Sequence, residues 1–203
     1  MASPFYCLRC GATLPGDLYV MHLEPRHPEN ANLTQQIDSF AVLASSYCTL
    51  IEQHDTYTTE EFITRTRAIL PQLYHCALGL PDIETTDEDV ARNISHDEWS
   101  VMFTSLQRKL GINDHYWEIY DPLELDHDQP VAASLSDDLA DIWRDLKTGL
   151  PSWADCSDTI RKQIVWDWHF SFHHHWSDHA VDALRAINWI AEHYGVRDAE
   201  KDA

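Results

Sequence analysis

The chain has 203 residues, 44% hydrophobic and 24% charged, the composition of one compact soluble domain with room for a small appendage. That arithmetic excludes a collagen-like repeat, a disulfide-stapled mini-protein and wholesale disorder. Fourteen Lys+Arg against 34 Asp+Glu leave a formal charge of −20, which argues against nucleic acid and anionic membrane surfaces as partners of the main body, because both need cations. The acid excess reads as solubility or salt adaptation, as a docking surface for a basic protein partner, or as nucleic-acid mimicry.

Residues 1–31 stand apart. They hold Cys7-x2-Cys10, four of the nine prolines and two of the six glycines, with little helical periodicity. They read as a small separate module, followed by an acidic α-helical domain over 32–195 and a tail over 196–203. The opening Met-Ala-Ser-Pro-Phe-Tyr-Cys lacks the basic-then-apolar order of a secretory leader, and the cysteine count of five is odd. The thiols are therefore expected in a reducing cytoplasm, outside any disulfide framework. The longest uncharged, largely apolar run, 40–51, is too short to span a bilayer.

After Asn32 the pattern is helical throughout, with no long strand signal. Ile37, Phe40, Ala41, Ala44, Tyr47, Cys48 and Ile51 recur at three- and four-residue steps and predict a helix over 33–54. Thr58 and Glu61 form a capping-box signature for a second helix over 59–79, carried by Phe62, Ile69, Leu73, Ala77 and Leu80. Pro71 predicts a kink or break inside it. Residues 81–89 are a polar connection.

Ser95 and Glu98 open a third helix in the same way, with Trp99, Met102, Phe103, Leu106 and Leu110 inward and Gly111 past its end. Residues 115–122 are aromatic-rich and not a long helix, and 123–133 form an acidic, proline-containing loop. A fourth helix over 135–148 buries Leu135, Leu139, Ile142, Trp143 and Leu146, with Gly149 as its stop. Ser157 caps a fifth helix containing Ile160, Ile164, Val165, Trp168 and Phe172. A sixth carries Ala180, Val181, Leu184, Ile187 and Ile190 and ends at Gly195. The last two read either as separate helices or as one interrupted helix. The expected architecture is all-α: a single bundle of about six helices with an irregular, zinc-knuckle-like N-terminal module.

Several blocks of this body form a recognisable series. They are Leu70-Pro71-x-Leu73-Tyr74 with Ala77-Leu78-x-Leu80-Pro81, then Tyr116-Trp117-Glu118-x-x-Asp121-Pro122. The sharpest is the run from Ser134 to Lys147. The last is Trp166-x-Trp168-x-Phe170-Ser171-Phe172-x-x-His175-Trp176-x-x-His179-Ala180-x-Asp182-Ala183-Leu184. Together they span about 38–190 and resemble a bacterial family, domain of unknown function 5063. The resemblance implies a helical cytoplasmic bacterial domain and implies no activity.

Three constellations carry candidate chemistry. In the first, Cys7 and Cys10 are followed after eleven residues by His22 and after four more by His27, a Cys₂His₂ set suited to a tetrahedral structural zinc. Such an ion would fold a segment that has no core of its own. The alternative is two free thiols and two surface histidines.

The second is the run His169, His173, His174, His175 and His179. On a helix His169 pairs with His173, and His175 with His179, but the two pairs lie about 200° apart. His175, His179 and Asp182 share a stripe and could ligate a metal; the bland reading is histidines held by packing against aromatics.

The third is Asp137, Asp138, Asp141 and Asp145, spaced to share a helix face. Such carboxylates can hold Mg²⁺ for hydrolysis of a phosphate or diphosphate. The bland reading is that Asp137 and Asp138 answer the helix dipole and pair with Arg144 and Lys147.

No glycine-rich phosphate loop or Gly-x-Ser-x-Gly occurs. The reading that follows is a non-enzymatic protein-interaction domain with a structural zinc. Its contact region would be Tyr116, Trp117, Glu118, Tyr120 and Asp121, and most of its acids would face water. The rival is a metal-dependent hydrolase using the helical Asp cluster.

Overall fold

The computed structural model describes residues 5–6, 13–14, 30–90, 93–119, 121–124 and 129–196. Two residue pairs near the N-terminus form a short antiparallel contact, β1 (Phe5–Tyr6) with β2 (Thr13–Leu14). Cys7, Cys10, His22 and His27, and with them the zinc-knuckle reading, lie outside the described residues.

The body is built from α1 (Asn30–Glu52), α2 (Thr59–Ala77), α3 (His96–Leu110), α4 (Leu135–Lys147), α5 (Asp158–Ser171) and α6 (Ser177–Trp189). Both predicted capping boxes form: the Thr58 hydroxyl accepts from Glu61 N and the Ser95 hydroxyl from Glu98 N, and each glutamate accepts from the cap backbone in return. Gly111 and Gly149 end their helices with φ of 55° and 85°, conformations that L side chains rarely adopt. No helix among the described residues is long and apolar enough to cross a membrane.

Two expectations change, and of the kink or break expected at Pro71 the break does not occur. Pro71 sits inside α2 without breaking it. Leu70 and Leu73, on either side of it, are fully buried, so packing holds the helix through the missing hydrogen bond. Val181, expected inward, is 51% exposed. And the region read as an aromatic segment plus an acidic loop contains an antiparallel hairpin, β3 (His115–Glu118) with β4 (Val131–Ser134), in register from His115↔Ser134 to Glu118↔Val131. Each strand has only four residues, too few for a period-2 pattern to stand out.

α5 and α6 form one rod, interrupted by a π-helical turn over Phe172–Trp176. The reason is legible in the side chains. Trp168, Phe172, Trp176 and Ala180 are all buried at four-residue spacing. An α-helix turns about 100° per residue, so four-residue steps drift about 40° each and about 120° over three. The wider π turn absorbs that drift and keeps all four residues on the core. A second π turn, Ile190–Tyr194, ends the rod.

α4 is the central element, packed against α1, α3 and α6. Most of its circumference is covered, including Ser136, Asp138 and Asp141. Its N-terminus is capped from a distance. Asp114 accepts from Leu135 N through its carbonyl (2.8 Å), and its carboxylate accepts from Ser136 N (2.8 Å) and Ser136 Oγ (3.0 Å). The sequence-adjacent Ser134 makes no side-chain cap. Against α1, Tyr47 donates to Leu139 O and Trp143 Nε1 donates to Glu52, which also pairs with Lys147. These bonds set the rotation of α4 and therefore the direction of its acids.

Candidate metal centre at the α4–α6 junction

Asp138, Asp141 and Asp145 recur at three- and four-residue steps on α4 and share one face. The π turn and the start of α6 bring His175 and His179 against that face. His175 Nδ1 lies 2.7 Å from Asp145 Oδ2, and His179 Nδ1 lies 2.9 Å from Asp138 Oδ1. An ionised carboxylate only accepts, so each Nδ1 carries the proton and donates it. In the neutral ring each Nε2 then keeps a lone pair, and both Nε2 atoms face one oxygen: Asp141 Oδ2 is 3.5 Å from His179 Nε2 and 3.9 Å from His175 Nε2. The two rings meet edge to face, with centroids 5.0 Å apart.

Among the described residues, Asp141, His175 and His179 are the group whose donor atoms converge within 4.8 Å. The Nε2–Oδ2 separations are too long for hydrogen bonds. They are close to the spacing of two ligands that share an ion at about 2.0–2.1 Å each.

The surroundings are ordered as well. Tyr116 OH on β3 donates to Asp138 Oδ2 at 2.7 Å, so both oxygens of Asp138 are engaged. Arg144 Nη2 approaches Asp141 Oδ1 at 2.8 Å without hydrogen-bond alignment, and the guanidinium lies over the Trp99 ring at 5.8 Å. Burial pushes the Asp138 carboxyl up to about 6, against the opposing pull of its bonds from His179 and Tyr116. For His179, burial disfavours the charged ring. The bond to Asp138 and the charges of Asp138, Asp141 and Asp137 outweigh it and hold the ring above its ordinary range.

The sequence-predicted residues sort as follows. Asp141, His175 and His179 come together. Asp138 and Asp145 orient the imidazoles. Asp137 is half-buried beside the group, and Asp182, expected as the third ligand, lies outside the three-donor set. Arg144 pairs with Asp141 and Asp145, and Lys147 with Glu52, so the ion pairs of Arg144 and Lys147 go to these acids, and Arg144 reaches Asp137 through its charge. The expectation that the acids mostly face water fails on α4, where Asp138 and Asp141 are buried. Tyr116 was expected at a contact surface and instead anchors Asp138. Trp117 and Asp121 are exposed, Glu118 is half-buried and within reach of the charges of Asp182, His179, Asp178 and Asp137, and Tyr120 lies outside the described residues. Asp114 carried no signal in the sequence, because its partner Ser136 is 22 residues away.

No curated protein matches the chain. A crystal structure of protein BF1032 from Bacteroides fragilis superposes with a TM-score of 0.68 at 22% identity, covering 80% of this chain and 96% of that one, a likeness of fold alone. A family model described as Domain of unknown function (DUF5063) matches residues 31–193, the whole helical body, and the chain therefore belongs to that family.

Proposed function

We propose that the helical body is a metal-binding domain whose ion is held by Asp141, His175 and His179, with a coordination position left for a small ligand or substrate. The observation that carries this reading is the aim of two imidazole Nε2 atoms at one carboxylate oxygen, each ring held through Nδ1 by its own aspartate. Two nitrogen donors and one oxygen suit zinc or a similar transition ion better than magnesium, which takes oxygen ligands. A π turn carrying one of the ligands adds support, since such turns gather at functional sites.

A zinc ion with three protein ligands supplies Lewis acidity at its open position and lowers the pKa of a water there to about 7. The chain's own residues would orient the rings (Asp138, Asp145) and steady Asp141 (Arg144). This fits metal-dependent hydrolysis. A phosphate or diphosphate would meet Asp137, Asp138 and Asp145 at close range with Arg144 as the near cation, so a neutral or cationic substrate suits the field better.

A second reading, contact with a basic protein partner, is favoured by the hairpin region, where Trp117 is 72% and Leu123 87% exposed beside the acids Glu118 and Asp121. The structural zinc at Cys7, Cys10, His22 and His27 and a cytoplasmic location belong to the same proposal.

Cobalt(II) titration of the full chain tests the two ion sites separately. A thiolate site gives sulfur-to-cobalt charge transfer in the near ultraviolet, whereas an Asp/His₂ site gives only visible bands. With Cys7→Ser and Cys10→Ser in place, one equivalent of cobalt should still bind with visible bands and be lost in His179→Ala. Absence of such binding rejects the centre on α4 and α6.

A further inference from the structure

A groove of about 780 Å³ runs between α2 and α6. Among the described residues no carboxylate lines it, although the chain carries 34 Asp+Glu against 14 Lys+Arg. Its basic lining is Arg67 and His75 from α2 and Arg185 from α6; most of the rest is aliphatic.

Both walls follow from helical periodicity. On α2, Arg67, Leu70, Tyr74 and Leu78 recur at steps of three and four and share a stripe. On α6, Val181 is followed at the same steps by Leu184 and Arg185, and then by Asn188. The two helices run in opposite directions. Arg67 Nη2 donates to Asn188 Oδ1 at 2.8 Å and to Glu192 Oε1 at 2.7 Å. Tyr74, further along α2, instead meets Phe172, which precedes α6, with ring centroids 5.1 Å apart. Antiparallel walls give the groove two unlike ends. Arg67, Arg185 and Asn188 meet at one. Leu78, 57% exposed, and Val181 meet at the other, with His75 exposed on the rim. Leu70 and Leu184 join the two ends.

The guanidiniums at the polar end are placed to receive an anion. Asn188 and Glu192 hold Arg67 through Nη2, and its Nε and Nη1 are unengaged among the described residues. Glu192 does not line the groove. Arg185 is exposed and makes no ion pair among the described residues; Asp182 meets it only through charge. A cationic end joined to an aliphatic end selects an anionic head with an extended alkyl tail. At 1.5 Å rise per residue the wall from Arg67 to Leu78 is about 16 Å long, the reach of a medium-chain tail. The planar carboxylate matches guanidinium geometry, and the field of a −20 chain opposes a doubly charged head more than a singly charged one. We infer that the α2–α6 groove binds a medium-chain alkyl carboxylate, its head at Arg67 and Arg185 and its tail along Leu70 and Leu184 to Leu78 and Val181. The inference stands independently of the ion proposed above.

The test uses the full chain in chelator, with decanoate below its micellar range as the probe. Decanol, decyltrimethylammonium and decyl phosphate keep the tail and make the head neutral, cationic or doubly anionic. Calorimetry and the methyl NMR signals of Leu78 and Val181 are the readouts. Decanoate should saturate and shift both signals, with decanol and decyltrimethylammonium binding roughly tenfold more weakly or not at all. Arg185→Gln should weaken decanoate by a similar factor and leave decanol unaffected. Val181→Asp should abolish binding of both. Both residues are exposed, so neither change touches the core. No saturable shift with decanoate overturns the inference, and so does equal or tighter binding of any of the three other heads. A dimer in sedimentation velocity that Val181→Asp disperses also overturns it and assigns the groove to a second copy of the chain.

Discussion

Two histidine pairs lie within eleven residues of one helical rod, and they have opposite surroundings. The His169 and His173 rings meet tilted, with centroids 4.5 Å apart, and those of His175 and His179 edge to face, with centroids 5.0 Å apart, both at a spacing of four. In the first pair His173 is exposed and His169 half-buried, and the ring beside them is that of Phe172, against His173. Burial and the neighbouring His173 hold His169 below its ordinary range, and Asp82 opposes them only through its charge. Each ring of the second pair is bonded to an aspartate of α4 and aimed at a third. Equal spacing therefore does not make equal sites. A second element has to supply carboxylates that fix the tautomer and direction of each ring.

The sharpest way to break this comparison is to remove ligands. Asp141→Ala should lower zinc or cobalt affinity by more than about 100-fold, beyond the loss expected for an orienting residue. His169→Ala with His173→Ala should leave the one-equivalent site unchanged. Equal losses from the two pairs, measured by competition with a coloured chelator, would mean that the α4 carboxylates do not distinguish them.

Removing the orienting groups should cost less. Asp145→Asn and Asp138→Asn are each expected to weaken metal binding by roughly 10–100-fold while the fold persists by circular dichroism. If neither changes affinity, the rings are held by packing and their carboxylates are incidental.

Next comes the device that aims α4. Asp114→Ala removes two hydrogen bonds to the helix start and leaves Ser136 buried, and should destabilise by about 1–3 kcal/mol in urea unfolding. Ser134→Ala, which removes no side-chain cap, should change stability little. Tyr116→Phe, which deletes one bond to Asp138, should cost about 0.5–1.5 kcal/mol, with a small loss of metal affinity.

The smallest effect is the sign of two titrations. In metal-free protein, followed by imidazole NMR, His169 should titrate below 6.5 and His179 above it. The linkage to stability has opposite signs. The raised His179 contributes stability that is fully present below 6.5 and is lost as pH rises through its folded value. The depressed His169 makes the unfolded chain bind more protons just below 6.5, so its contribution grows as pH rises through that window. Added zinc should remove the His179 titration and leave that of His169.

The helices were legible because their signals are local. Thr58 with Glu61, Ser95 with Glu98, and the glycines at 111, 149 and 195 mark boundaries through contacts only a few residues long. The histidine and aspartate runs were visible too, as separate patterns of spacing. The hairpin was not, because strands of four residues leave little period to read, and neither was the burial of Asp138 and Asp141, because acids on one helix face read as a solvated face.

The amino-acid sequence by itself determined an acidic helical body, the helix ends and which side of each helix carries its chemistry. Only the tertiary structure decided that Asp141, rather than Asp182, stands opposite His175 and His179. That choice depends on the rotation of α4, set by Asp114 from 22 residues away and by Tyr47 from α1, and on a π turn that four core residues impose. Such contacts join residues far apart in the chain, and their free energy appears only when the core that unites them has closed.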